Sequence, residues 1–112
     1  MSILTSNVSG VYIVIPNGRL DTNTSPEAEE LITDAIVSGE TRVVMDFSKT
    51  DYISSAGLRV ILKTAKLLKP MNGAVTLCNA NEQIHEVLEI SGFLSMINLL
   101  GSLDEALSTI NA

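Results

Sequence analysis

The chain has no tryptophan, one cysteine, one histidine, two tyrosines and two phenylalanines among its 112 residues. A lone cysteine excludes an internal disulfide. One histidine with one cysteine does not make the three or more protein ligands of a zinc site. So few aromatic rings leave no stacking platform for a single-stranded nucleic acid. Positive charge is also scarce, with 7 Lys and Arg against 13 Asp and Glu and a net charge of −6. Contacts to a phosphate backbone need clustered cations, so no direct nucleic-acid partner is expected. No apolar run approaches the roughly 18 residues of a membrane span, and the run at residues 11–15 stops at Pro16. Residues 1–7 lack a basic start and a long apolar stretch, so no signal peptide is expected and the cytoplasm is the expected compartment. No G-x-x-x-x-G-K-[ST] loop occurs, and no cofactor is expected.

What is present is an ordinary globular composition, 46% hydrophobic and 18% charged, expected to form one domain over residues 1–112. Residues 3–8 and the β-branched run at 11–15 read as a hairpin with turn chemistry at Asn7-Val8-Ser9-Gly10; Pro16-Asn17-Gly18 ends the second strand and Gly18-Arg19-Leu20-Asp21 leads into a polar loop. Thr24-Ser25-Pro26-Glu27 predicts a helix start, with Thr24 capping in a box with Glu27 or Ser25 capping ahead of Pro26. Ala28, Leu31, Ile32, Ala35 and Ile36 give its apolar stripe, and Gly39 its stop. A buried strand over 42–47, a polar loop and a helix from Ser54 or Ser55 follow. In that helix Leu58, Ile61, Leu62, Ala65 and Leu68 form the expected buried stripe, with Val60 and Leu67 widening it or staying partly exposed, while Arg59, Lys63, Lys66 and Lys69 lie opposite. Residues 74–78 read as a strand. Asn79 or Asn81 caps a helix carrying Ile84, Val87 and Leu88 up to Gly92. A short strand over 97–100 and a last helix opened by the Ser102–Glu105 capping box close the chain. The fold class is α/β: a mixed, largely parallel sheet packed with about four α-helices.

The chemistry concentrates at the loop that delivers Ser54 and Ser55 to a helix N-terminus. Unpaired N–H groups and the positive end of the helix dipole suit a capping hydroxyl there, or a covalently attached phosphate. Asp21 and Asp46 are expected near strand ends, where ligand sites of α/β sheets gather. Asp51 reads as a solvated loop charge, Cys78 as a small core residue and His85 as a helix-surface residue.

Asp46-Phe47-Ser48 followed by Tyr52-Ile53-Ser54-Ser55-Ala56-Gly57-Leu58 resembles the signature of STAS domains of the anti-sigma-factor-antagonist type. Gly18-Arg19-Leu20-Asp21 and Ile90-Ser91-Gly92-Phe93 are similar to the family's earlier and later motifs. The family pattern is Asp-Ser-Ser/Ala-Gly-Leu, so Gly57-Leu58 aligns Ser55 with the phosphorylated serine. Ser54 stands where Asp is usual and remains the second-choice acceptor. The resemblance implies a binding protein with no catalysis of its own. Unphosphorylated, it would bind an anti-sigma factor of the serine-kinase type and free the sigma factor. That partner would phosphorylate Ser55, and a metal-dependent (PP2C-type) serine phosphatase would reverse the step. Asp21, Asp46, Ser54, Ala56, Gly57, Arg59 and Lys63 are the implied surroundings.

Other readings are weaker. A phosphorelay receiver needs an acidic pair after its first strand and a lysine after its last; here Pro16-Asn17-Gly18 follows the first, and no lysine comes after Lys69. Nothing in the spacing favours a hydrolase built from Ser55, His85 and Asp46. A STAS scaffold or transporter-associated subunit, with Ser55 unmodified, is the alternative. The four cations at 59, 63, 66 and 69 form a local basic face suited to an acidic partner surface.

Overall fold

The computed structural model describes residues 3–111. Strands β1 (Ile3–Val8) and β2 (Val11–Pro16) form the expected antiparallel hairpin. Ser9 and Gly10 both have positive φ, 54° and 78°. A two-residue loop of that hand matches the right-handed twist of the flanking strands. Strands β4 (Arg42–Asp46), β6 (Ala74–Cys78) and β7 (Leu99–Leu100) then add in parallel, giving the order β1-β2-β4-β6-β7. Helices α1 (Ser25–Val37), α2 (Ser55–Leu68) and α3 (Glu82–Ile90) cover one face, where Ala28, Ile32, Val60, Ile61, Ile84 and Leu88 meet Val14, Val43, Met45 and Leu77. Helix α4 (Leu103–Ile110) covers part of the other, where Ala106 packs with Val11, Ile13, Val44 and Cys78. The alternation of Val43, Val44 and Met45 between the two clusters is the period-2 pattern of a strand buried on both faces.

Several expectations need correction. The two polar loops are strands: β3 (Gly18–Leu20) and β5 (Thr50–Ile53) pair in parallel as a separate small sheet. Thr50 is buried because its hydroxyl donates to the Pro16 carbonyl (2.6 Å), an internal acceptor that a polar side chain needs when removed from water. The buried stripe of α2 is rotated toward Gly57, Val60, Ile61, Thr64 and Leu68, while Leu58, Leu62 and Ala65 are half-buried. Thr64 joins the stripe because its hydroxyl donates to the Val60 carbonyl one turn back (2.7 Å). Thr24 occupies the N-cap position of α1, but its hydroxyl accepts from the Asp21 N–H and donates to the Arg19 carbonyl, so neither predicted cap forms. The last strand is shorter than expected. Asn81 is the cap of α3 (Oδ1 accepting from Ile84 N–H, 2.8 Å), Ser102 caps α4, and Gly39 follows α1 with φ of 114°.

Candidate functional site at the start of helix α2

The small parallel sheet positions the site. Leu20 and Ile53 are register partners at the ends of β3 and β5, so Asp21 and Ser54 leave the sheet side by side. The Ser54 N–H donates to the Leu20 carbonyl (3.0 Å), fastening the start of α2 to the end of β3. Gly57, one turn into α2, lies so close that a Cβ there would come 2.6 Å from Ile53 Cγ1 and 2.7 Å from the Leu20 oxygen. Only a residue without a side chain permits that approach.

The two serines have different situations. Ser54 is the N-cap: its backbone is extended (φ −103°, ψ 179°), it is half-buried, and its hydroxyl accepts from the Ala56 N–H (3.2 Å). Ser55 is the first helical residue and is exposed, and its hydroxyl makes no hydrogen bond among the described residues. A group attached there would face the free N–H groups of the first turn and the positive end of the dipole.

The two implied aspartates are engaged elsewhere. Asp21 accepts from the N–H groups of Asn23 and Thr24 and pairs with Arg19 Nε (3.2 Å). Partial desolvation raises its pKa, but the Asn23 N–H, the Arg19 guanidinium and the Thr24 N–H outweigh this and hold the carboxyl below its ordinary value. Asp46 is buried at the end of β4, accepting from the Ser48 N–H (2.9 Å) and the Asn79 side-chain amide (3.0 Å). No hydrogen bond joins either carboxylate to Ser54 or Ser55 among the described residues. Beside Asp46 lies the fully buried Cys78, whose thiol is pushed up to about 12, by burial first and the Asp46 charge second.

Ala56 is buried under the helix start, and Arg59, Lys63 and Lys66 project from α2 over a groove shared with Thr22, Ser25, Pro26 and Glu29. Lys63 Nζ bridges to Glu29 Oε2 across it at 3.0 Å, with both side chains about half exposed. Arg19 and Asn81, expected only as a motif residue and a helix cap, make further contacts of the small sheet. Arg19 stacks on the Tyr52 ring at 4.4 Å from its centroid, as a register pair of the small sheet. Asn81 donates its amide to the Asp51 carbonyl (3.0 Å), tying α3 to β5. Two short strands carry no periodic signal that would reveal either contact.

The STAS domain family model matches residues 2–106, nearly the whole length. The chain belongs to the STAS family. Among its STAS relatives is BtrV of Bordetella bronchiseptica, provisionally named an anti-sigma factor antagonist, which is 37% identical over 95% of this chain and 91% of its own. An anti-sigma factor antagonist from Mycobacterium paratuberculosis superposes with a TM-score of 0.91 at 22% identity, covering 99% of this chain and 94% of that one. The Bacillus antagonist SpoIIAA, solved unphosphorylated and phosphorylated, matches with TM-scores of 0.81 and 0.79 at 18% and 20% identity, over 97% or more of this chain and 99% of SpoIIAA. These structural likenesses bear out the mixed, largely parallel α/β STAS fold expected from the motifs. No helix among the described residues is long and apolar enough to cross a membrane.

Proposed function

We propose that this protein is an anti-sigma-factor antagonist, a cytoplasmic binding module switched by phosphorylation of Ser55. Unphosphorylated, it binds an anti-sigma factor of the serine-kinase type through the surface around the start of α2, releasing the sigma factor. The same partner transfers a phosphoryl group from ATP to Ser55, and a PP2C-type phosphatase removes it. The observation that carries the reading is the division of labour between the two serines. Ser54 is occupied as the cap, whereas Ser55 presents an exposed, unpartnered hydroxyl at the first helical position. The names of relatives and the existence of a phosphorylated SpoIIAA structure agree with it. Asp21 and Asp46 act at one remove: Asp21 orders the turn after β3 through Asn23 and Thr24, and Asp46 links the ends of β4 and β6 through Ser48 and Asn79.

Incubation with ATP and the serine kinases encoded in the same genome, read by intact mass and then tandem mass spectrometry, tests this. One phosphate on Ser55 with one kinase is expected. No phosphate with any candidate favours an unmodified scaffold, and a phosphate on Ser54 overturns the assignment.

A further inference from the structure

Strand β1 is an edge of the main sheet, and among the described residues nothing pairs with its outer side. Natural sheets protect such edges with charge, proline or a bulge. Residues 3–8 read Ile-Leu-Thr-Ser-Asn-Val, with no charge and no proline, and pair with β2 without a break in register. Each two-residue hairpin loop has a hydrogen-bonded closing pair, here Val8 and Val11, and the pattern alternates from there. Leu4, Ser6 and Val8 therefore spend their backbone groups on β2, while Ile3, Thr5 and Asn7 turn their N–H and C=O outward. The side chains divide as cleanly. Ile3 packs on the core under α1–α3, and Asn7 donates its amide to Glu40 on the exposed rim (2.7 Å). Leu4 and Val8 share the opposite face, 44% and 40% exposed, beside the half-buried Ile15. Helix α4 packs over β4, β6 and β7 on that face.

We propose that β1 is a self-association edge, pairing antiparallel with β1 of a second copy about a two-fold axis through Ser6. The strand is self-complementary about that residue. Leu4 meets Val8 of the other copy twice on one face, and Thr5 meets Asn7 twice on the other, with Ser6 opposite itself. The hydrogen-bonding parity agrees, because Thr5 and Asn7 are the residues whose outward groups such a register joins. A register centred on Thr5 would set Leu4 against Ser6 and lose the apolar match. The absence of charge on β1, in a chain of net −6, favours a second copy over a charged partner, whose attraction would need opposite charges on this strand. Each copy still repels the other at long range, so salt should strengthen the pairing.

The area joined by one strand edge is small, so we expect a dimer at about 500 µM and a monomer below about 5 µM, the range of weak interfaces. Sedimentation of the whole chain across that range, at low and high salt, reads it. Ser6→Lys and Ser6→Glu alone place like charges across the axis and should each weaken the dimer about fivefold or more, while their equimolar mixture restores it. Ser6→Cys should oxidise to a covalent dimer, since a non-hydrogen-bonded antiparallel pair has Cα atoms about 4.5 Å apart, within disulfide reach. Position 6 is exposed, so all three variants should keep the parent unfolding midpoint. A wild-type chain that stays monomeric at the highest concentration overturns the proposal. So does a dimer indifferent to Ser6→Lys, or one that Ser6→Cys fails to cross-link.

Discussion

The Leu20 carbonyl oxygen accepts the Ser54 N–H at 3.0 Å and lies 2.7 Å from where a Gly57 Cβ would be. One backbone atom of β3 thus sets both where α2 begins and how closely its first turn approaches. Gly57→Ala should force the turn away from β3 and destabilise the protein by about 1–3 kcal/mol, the usual cost of overpacking. Chemical denaturation measures it, and an unchanged midpoint would mean that β3 yields without resistance.

Ser54→Ala should cost about 1 kcal/mol, the value of a lost N-cap. Ser54→Asp should restore nearly all of it, because a carboxylate caps as well and complements the dipole. Ser55→Ala should leave stability within about 0.5 kcal/mol, as expected of an exposed side chain without a partner. Thermal unfolding of the three variants checks the order.

Phosphorylation of Ser55 should act on the interface and leave the fold intact. An exposed anion at a helix N-terminus gains about 0.3–1 kcal/mol, and repulsion from Asp21 or Asp46 is damped by water and salt. Burying the same group against a partner strips its hydration, and a penalty of about 3 kcal/mol weakens binding roughly a hundredfold. The phosphoprotein should therefore melt near the parent midpoint while losing affinity, and Ser55→Asp should lose less. Calorimetry of both properties decides; a phosphoprotein that melts many degrees lower points to a conformational switch.

The basic face of α2 should steer the partner. Lys63→Glu with Lys66→Glu should slow association and reverse its dependence on salt. Loss of the Lys63–Glu29 bridge should itself cost little, since exposed pairs contribute about 0–1 kcal/mol. Stopped-flow association rates at two ionic strengths test this, and an unchanged rate at low salt would make the face a solvated surface only.

Cys78 should react with a thiol reagent only after unfolding, because burial and Asp46 keep it protonated. Its folded pKa, about 12, lies above the ordinary 9.0, so the unfolded chain releases this proton first as pH rises. Stability should be indifferent to Cys78 below pH 9 and fall between there and about 12. Tyr12, raised chiefly by burial, adds a loss of the same sign. Cys78→Ala should flatten part of that alkaline decline in denaturation series.

The main elements were legible in the sequence: the hairpin, the strands at 42–46 and 74–78, and four helices appear where apolar runs and spacing place them. Asn81 and Ser102 cap as expected, but neither cap expected for α1 forms. What escaped was what three-residue pairing decides. Arg19 and Tyr52 stack because β3 and β5 meet in parallel, and no window that short carries a period. The rotation of the α2 stripe toward Thr64 escaped as well, since a hydroxyl returning to its own helix makes a polar residue acceptable in the core. Asp46 was placed correctly at a strand end, yet its partners, Ser48 and Asn79, depend on the sheet register and the left-handed Asn79 (φ 60°).

The separation of cap from acceptor bears on how such a protein diversifies. On the proposed function, Ser54 caps the helix and Ser55 carries the regulation, so one codon changes the second without touching the first. A gene duplicate with alanine at position 55 would inherit a folded domain that a kinase can no longer silence, and one with aspartate would start life partly silenced. New wiring is thus reached in a single step, with no folding defect for selection to repair along the way.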